Sequence, residues 1–228
     1  MASGMLSALR RNKVVSALQS LKVSILVCWP SFYDIVQNMK RVILYPTETL
    51  YALGVNALDS EEIKKLYELK ERPEGKATSW LVRCVEDIEK YAELPGKAVK
   101  IAEKFLPGQL TLVLKVKKEI SDEVVAKDRT IGFRVSADPK AQELIAKFME
   151  ENNAPLTCTS ANISGSPTLG TPSEILQQFG PKAGMIDEII DDGPRKGLAS
   201  TVIRVIGEDV KILREGEISE WDIRKVLM

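Results

Sequence analysis

Short apolar runs alternate along this chain with stretches of helical period, and polar clusters punctuate them. The first run, Val42 to Tyr45, is apolar and mostly β-prone. It predicts a buried strand stopped by Pro46, which cannot donate to a central ladder. Asp59 marks a helix start, with Glu62 completing a capping-box pattern, and Ile63, Leu66 and Tyr67 form the inward stripe. Lys70 continues that stripe, and Arg72 and Pro73 close the helix. A strand is expected over 79–84, a short helix over 86–91, and a further helix on Ala98, Ile101, Ala102 and Phe105, ended by Pro107 and Gly108. Strands over 111–116 and 130–135 precede the longest helix, whose face is Ala141, Leu144, Ile145, Phe148 and Met149. A short strand over 156–159 runs into a polar loop, 160–168. Ser173 is the expected cap of a helix through Gln178; 188–190, 200–205 and 210–213 read as closing strands, and a last helix covers 217–227. The order implies one α/β domain of about seven strands. Consecutive strands near the end imply antiparallel pairs, so a twisted mixed sheet with flanking helices is expected.

Composition narrows the chemistry more than the fold. The 228 residues are 44% apolar and 28% charged, as in a globular protein with a substantial core. Net charge is zero but unevenly spread: residues 1–41 hold six basic residues and one acid, leaving 26 basic and 31 acidic residues for the rest. Nucleic-acid binding would therefore need a local patch. There is no histidine, which removes Ser-His and Cys-His nucleophile systems and every histidine metal site. Cys28, Cys84 and Cys158 are too scattered for a disulfide framework or a Cys-x-x-Cys pair, which fits a reducing, cytoplasmic setting.

Residues 1–38 form an extension set apart from a domain over 39–228. It is basic and nearly free of acids, with one apolar run, Val23 to Trp29, too short to span a membrane. Three readings stay open: a leader, a start misassigned upstream of Met39, and a helix over 31–39 packed on the sheet.

Hydroxyls and cations recur just after strands. Thr47 and Thr49 follow the first strand, where open α/β sheets place their ligand crevice. Thr130 and Arg134 bracket another strand, Ser160 and Asn162 follow the next, Ser200 and Thr201 open one, and Arg214 ends one. Such groups suit phosphates and a carboxylate. Without a base they do not suit nucleophilic catalysis, and neither a Walker A nor a Gly-x-Gly-x-x-Gly sequence is present. Each piece also has a structural reading: Lys70 and Arg72 as complements of a helix dipole, Ser160 and Asn162 as turn formers, Thr201 as strand composition, Arg134 and Arg214 as surface ion pairs. Their shared position after strands favours a site.

Six segments carry a resemblance: 45–54 (YPTETLYALG), 70–73 (KERP), 106–111 (LPGQLT), 132–135 (GFRV), 159–165 (TSANISG) and 199–202 (ASTV). In order and spacing they resemble the YrdC/Sua5 family in its short, single-domain form, over about 40–214. The resemblance implies an open concave α/β domain and a nucleotidyltransferase, L-threonylcarbamoyladenylate synthase. ATP, L-threonine and bicarbonate would give threonylcarbamoyl-AMP and pyrophosphate, for the threonylcarbamoyl modification of adenosine 37 in tRNA by a separate transferase complex. By the same resemblance Lys70 and Arg72 hold ATP phosphates and act in catalysis, and Lys76 lies beside the nucleotide. Thr130, Ser160, Asn162, Thr168 and Arg214 also bind the nucleotide. Thr47, Arg134, Cys158 and Ser200 bind threonine, and Mg²⁺ accompanies the ATP. tRNA is a further candidate partner; no membrane is expected. Two positions depart from the family pattern: Ala52 stands where many members have glycine, and Leu81 stands near a frequent histidine. Two other readings compete. One is a non-catalytic double-stranded RNA or tRNA-binding protein of the same fold. The other is a carbamoyl-phosphate-dependent relative, for which the zinc-finger cysteines are missing.

Overall fold

A computed structural model describes residues 41–73 and 78–228; the readings made for the extension and for Lys76 lie outside the described residues. The described residues contain one nine-stranded mixed sheet and six α-helices. The strands are β1 (Ile43–Pro46), β2 (Tyr51–Gly54), β3 (Ser79–Leu81), β4 (Leu110–Lys115), β5 (Thr130–Arg134), β6 (Leu156–Ser160), β7 (Glu188–Ile189), β8 (Thr201–Ile206) and β9 (Asp209–Arg214). Their order across the sheet is β7-β1-β2-β6-β3-β5-β4-β8-β9. The helices are α1 (Ser60–Lys70), α2 (Val85–Tyr91), α3 (Gly96–Phe105), α4 (Pro139–Asn152), α5 (Pro172–Phe179) and α6 (Glu220–Leu227).

Of the nine strands only β2 has no counterpart among the expected ranges; it pairs antiparallel with β1 through Tyr45↔Ala52 and Pro46↔Tyr51. Its four residues are all buried, so the run has no alternation to betray it. The hairpin confines Thr47 to Leu50 to a tight loop, closed by Thr47 N–H donating to the Leu50 carbonyl at 3.1 Å.

Helix starts follow local chemistry. Asp59 caps α1 by accepting from the amides of Glu61 and Glu62. At α5 the cap is Thr171, not Ser173: Thr171 and Glu174 form a full capping box with Pro172 in the first turn. Helix α6 begins later than expected, because Ser219 takes the cap and accepts from the Asp222 amide.

The two sheet faces have different fates, set by strand alternation. One face buries Trp80 edge-on to Phe133 and Tyr91, with ring centroids 5.7 and 5.8 Å apart. Helix α3 packs on β4 and α6, and α4 packs on β1 and β6. The alternate positions, Ser79, Thr111, Arg134 and Cys158, line a cleft instead. No helix of the described residues is long and apolar enough to cross a membrane.

Candidate active site

Small and hydroxylated residues on neighbouring strands make the floor of the cleft. Cys158 pairs with Ser79 across β6 and β3, and Thr111 pairs with Val202 across β4 and β8. Between them β5 carries Gly132, where a Cβ would stand 2.8 Å from both Ser79 Oγ and Thr111 Cγ2. Only glycine lets the flanking hydroxyl-bearing side chains approach this closely. The cleft has a volume of about 290 Å³.

At one end the cleft is built around Arg134, at the carboxyl end of β5. Its side chain is almost entirely buried, with the residue 8% exposed. One terminal nitrogen donates to Glu48 Oε1 at 2.6 Å and to Thr49 Oγ1 at 3.3 Å, and the other faces Cys158 Sγ at 3.7 Å. Its Nε is buried without a protein acceptor. Glu48 also accepts from the Ser136 hydroxyl. Thr47 Oγ1 lies 3.0 Å from Thr49 Oγ1 and donates to the Leu50 carbonyl at 2.6 Å. A guanidinium that lines the cleft, with an internal carboxylate on one edge, is suited to a single further anion.

The other end is built around the last turn of α1. Lys70 lies on the apolar stripe and is 2% exposed. Its ammonium donates to the Ser160 carbonyl, to the Asn162 carbonyl at 2.7 Å and towards Asn162 Oδ1 at 3.4 Å. The Lys70 carbonyl accepts from Ser164 N–H at 2.8 Å, so lysine backbone and side chain both brace the loop after β6. Burial, and secondly the Arg72 charge, push Lys70 down to about 7. The oxygen acceptors favour its charged form and oppose that drift. A second hollow of about 250 Å³ opens here, lined by Lys70, Arg72, Ser160, Asn162 and Gly165 among others. Arg72 and Ser160 line both the hollow and the cleft.

The structure therefore brings together Thr47, Arg72, Arg134, Cys158, Ser160, Thr168, Ser200 and Arg214 in the cleft, and Lys70 and Asn162 in the adjoining hollow. Ser200 Oγ lies 2.8 Å from Thr111 Oγ1, and Arg214 donates to the Ser200 carbonyl at 2.7 and 3.0 Å. Burial, then the Arg134 charge, holds the Arg214 guanidinium below its usual value. Thr130 stands apart: it shares a strand face with Gly132 and Arg134 but sits at the far end of β5, donates to Asp128 Oδ1 at 2.7 Å and does not line the cleft. Ala52 lines the cleft, whereas Leu81 is wholly buried beside Arg134 and Leu156 and does not. Sequence reasoning gave no role to Glu48, although it lies between the two threonines it had singled out. It also gave no role to Thr111, although that residue closes one of the resembling segments, and it missed Ser136, which carries no local signal.

Residues 36–216 match the Sua5, YciO and YrdC family, described as telomere recombination. The chain belongs to this family. It is 40% identical over 179 residues to a putative threonylcarbamoyl-AMP synthase of Methanocaldococcus jannaschii, covering 78% of this chain and 81% of that one. To the threonylcarbamoyl-AMP synthase of Pyrococcus abyssi it is 34% identical over 82% of its own length, and spans 54% of the relative. Among solved structures, P. abyssi Sua5 complexed with L-threonine superposes with a TM-score of 0.74 at 32% identity, covering 85% of this chain and 56% of Sua5. Escherichia coli YciO superposes at 0.70 with 28% identity, covering 81% of this chain and 87% of YciO. Membership and these relatives make the chain an enzyme of the nucleotidyltransferase type.

Proposed function

We propose that the chain is an L-threonylcarbamoyladenylate synthase, joining L-threonine, bicarbonate and ATP, and that its product serves the threonylcarbamoyl modification of tRNA. One observation carries this reading: the cleft that holds Arg134 and the cationic hollow at Lys70 share a wall, Arg72 and Ser160, so two anionic ligands would meet there. The threonine bound by a solved relative supports the amino-acid half.

In this reading threonine lies at the Arg134 end, its carboxylate toward the guanidinium, bordered by Thr47, Cys158 and Ser200. The ATP phosphates lie at Lys70, Arg72, Ser160 and Asn162, with Thr168 beside them. The nucleoside extends past Arg214, with Thr130 marking its far reach along β5. Threonine's amine takes up the carbon of bicarbonate with loss of water, giving a carbamate. A carbamate oxygen then bonds to the α-phosphorus as the bond to the bridging oxygen breaks, and pyrophosphate leaves with that electron pair. No protein nucleophile takes part. The side chains act by orienting the reactants and by placing fixed positive charge where phosphate charge develops. Among the described residues no cluster of three or more His, Cys, Asp or Glu side chains could hold a metal ion. Mg²⁺ would accompany the ATP, held chiefly by phosphate oxygens and water, and would offset phosphate charge there.

Mass spectrometry of a reaction containing ATP, threonine and bicarbonate tests the proposal. The expected product has the mass of threonylcarbamoyl-AMP and requires all three reactants; its absence with folded protein overturns the reading. tRNA binding without threonine-dependent pyrophosphate would instead point to the RNA-binding alternative.

A further inference from the structure

Between β7 and β8 the chain crosses from one side of the sheet to the other, over 190–200, without helix or strand. This strap is nevertheless held at many points: the Tyr51 hydroxyl donates to Asp191 Oδ1 and the Gly193 carbonyl and accepts from the Asp192 amide, and Arg195 ties the strap to three further segments. Its Nε donates to the Thr47 carbonyl at 3.0 Å, and one terminal nitrogen donates to Asp138 Oδ2 at 2.9 Å and Asp192 Oδ2 at 2.6 Å. The other donates to the Asp192 carbonyl at 2.7 Å. The Arg195 amide donates to the Gly170 carbonyl at 2.8 Å, and its guanidinium lies 6.0 Å from the centre of the Tyr51 ring. One side chain thus joins the strap to the Thr47–Thr49 loop and to Asp138, which caps α4, while its backbone reaches the loop after β6.

The strap's seat on the Thr47–Thr49 loop is close. Gly197 N–H donates to the Thr49 carbonyl at 3.1 Å, and a Cβ on Gly197 would stand 2.7 Å from that oxygen. Three residues further on the strap delivers Ser200 into the cleft, 2.8 Å from Thr111. All of these anchors except the Gly170 carbonyl lie on the Arg134 side; none is Lys70, Asn162 or the hollow beside them.

We propose that Arg195 is a positioning residue for the amino-acid substrate: by pinning the strap to the Thr47–Thr49 loop it fixes the spacing between Thr47 and Ser200, and so sets affinity for the amino acid without setting affinity for the nucleotide. This rests on the assignment of the Arg134 end to threonine made above. A purely structural arginine would, when removed, weaken both substrates together or lower only thermal stability. A positioning arginine separates the two Michaelis constants.

The test is steady-state pyrophosphate release by the full chain, with thermal melting to confirm folding. Arg195→Ala is expected to raise the KM for threonine by about tenfold or more, with kcat and the KM for ATP within about threefold of the parent. Arg195→Lys recovers part of the loss, because an ammonium can reach one anchor but cannot reproduce the guanidinium fork. Asp138→Asn keeps the helix cap, since asparagine caps as well as aspartate, and raises the threonine KM by a smaller factor of about two to five. Gly197→Ala lifts the strap without touching Arg195 and gives the same separation as Arg195→Ala. A folded Arg195→Ala protein whose threonine KM is unchanged, or whose ATP KM rises in step, overturns the proposal. If the parent protein itself makes no threonine-dependent pyrophosphate, the functional reading falls, and hydrogen exchange still judges the pin. Loss of protection at the Arg195 and Gly197 amides in Arg195→Ala supports it, and unchanged protection overturns it.

Discussion

The two ends of the cleft are both cationic, yet they hold their cations in opposite ways. At the Arg134 end the guanidinium groups meet carboxylates of the protein itself: Arg134 pairs with Glu48, and Arg195 with Asp138 and Asp192. At the Lys70 end the buried ammonium meets neutral oxygens, the carbonyls of Ser160 and Asn162 and the Asn162 amide oxygen. Carbonyl dipoles orient a cation without cancelling it, whereas a carboxylate cancels it. The first end is nearly balanced and fits a ligand carrying little net charge, such as an amino acid. At the second, the Lys70 ammonium is held by oxygens of no net charge, so the charge it carries below about pH 7 is left for an incoming polyanion.

The largest effect expected from this contrast is at Lys70. Lys70→Ala should lower threonine-dependent adenylate formation by about two orders of magnitude or more, as loss of a charge partner to the developing phosphate. Adenylate formation surviving at the parent rate would remove Lys70 from the chemistry.

Next in size is the internal pair at the other end. Glu48→Ala leaves a buried guanidinium uncompensated and should cost about 3 kcal/mol of unfolding free energy in denaturant titration. Lys64→Ala, which breaks the exposed Glu61 pair on α1, should cost about 0.5 kcal/mol or less. Equal losses at the two positions would show that the Arg134 end is no more tightly balanced than the protein surface.

A smaller effect is a proton. With Lys70 near 7, the ligand-free side chain is largely neutral at pH 8 and charged at pH 6. Phosphate favours the ammonium and raises its pKa, so ATP binding should take up on the order of one proton at pH 8 and little at pH 6 through this group. Affinity for ATP accordingly falls as pH rises through 7. Calorimetry in buffers of different ionisation enthalpy reads the uptake, and Lys70→Arg should abolish the difference between the two pH values. The smallest effect is at Thr130. Thr130→Val should raise the KM for ATP by about threefold or less, as fits a contact at the rim of the nucleotide's reach. A tenfold rise would place the base directly on that residue.

Much of this contrast was legible in the sequence, and what was not has physical causes. Lys70 announced itself by breaking an apolar stripe, a local pattern that needs no tertiary information. Arg134 was visible as a cation ending a strand, but its partner Glu48 lies 86 residues away, beyond any local periodicity. Strand β2 was hidden because a fully buried four-residue run looks the same in a strand, a turn or a helix. The α5 cap was misplaced by two residues although Pro172 pointed to Thr171, since proline favours the first helical turn. Arg195 gave no signal at all. A strap without secondary structure has no period, and its anchors come from segments far apart in the chain.

The partition formed by Arg72 and Ser160 has a thermodynamic corollary. If two guests meet at that boundary, as the proposed function has it, any influence of one on the other must run both ways. Whatever factor threonine contributes to nucleotide affinity, the nucleotide must return to threonine.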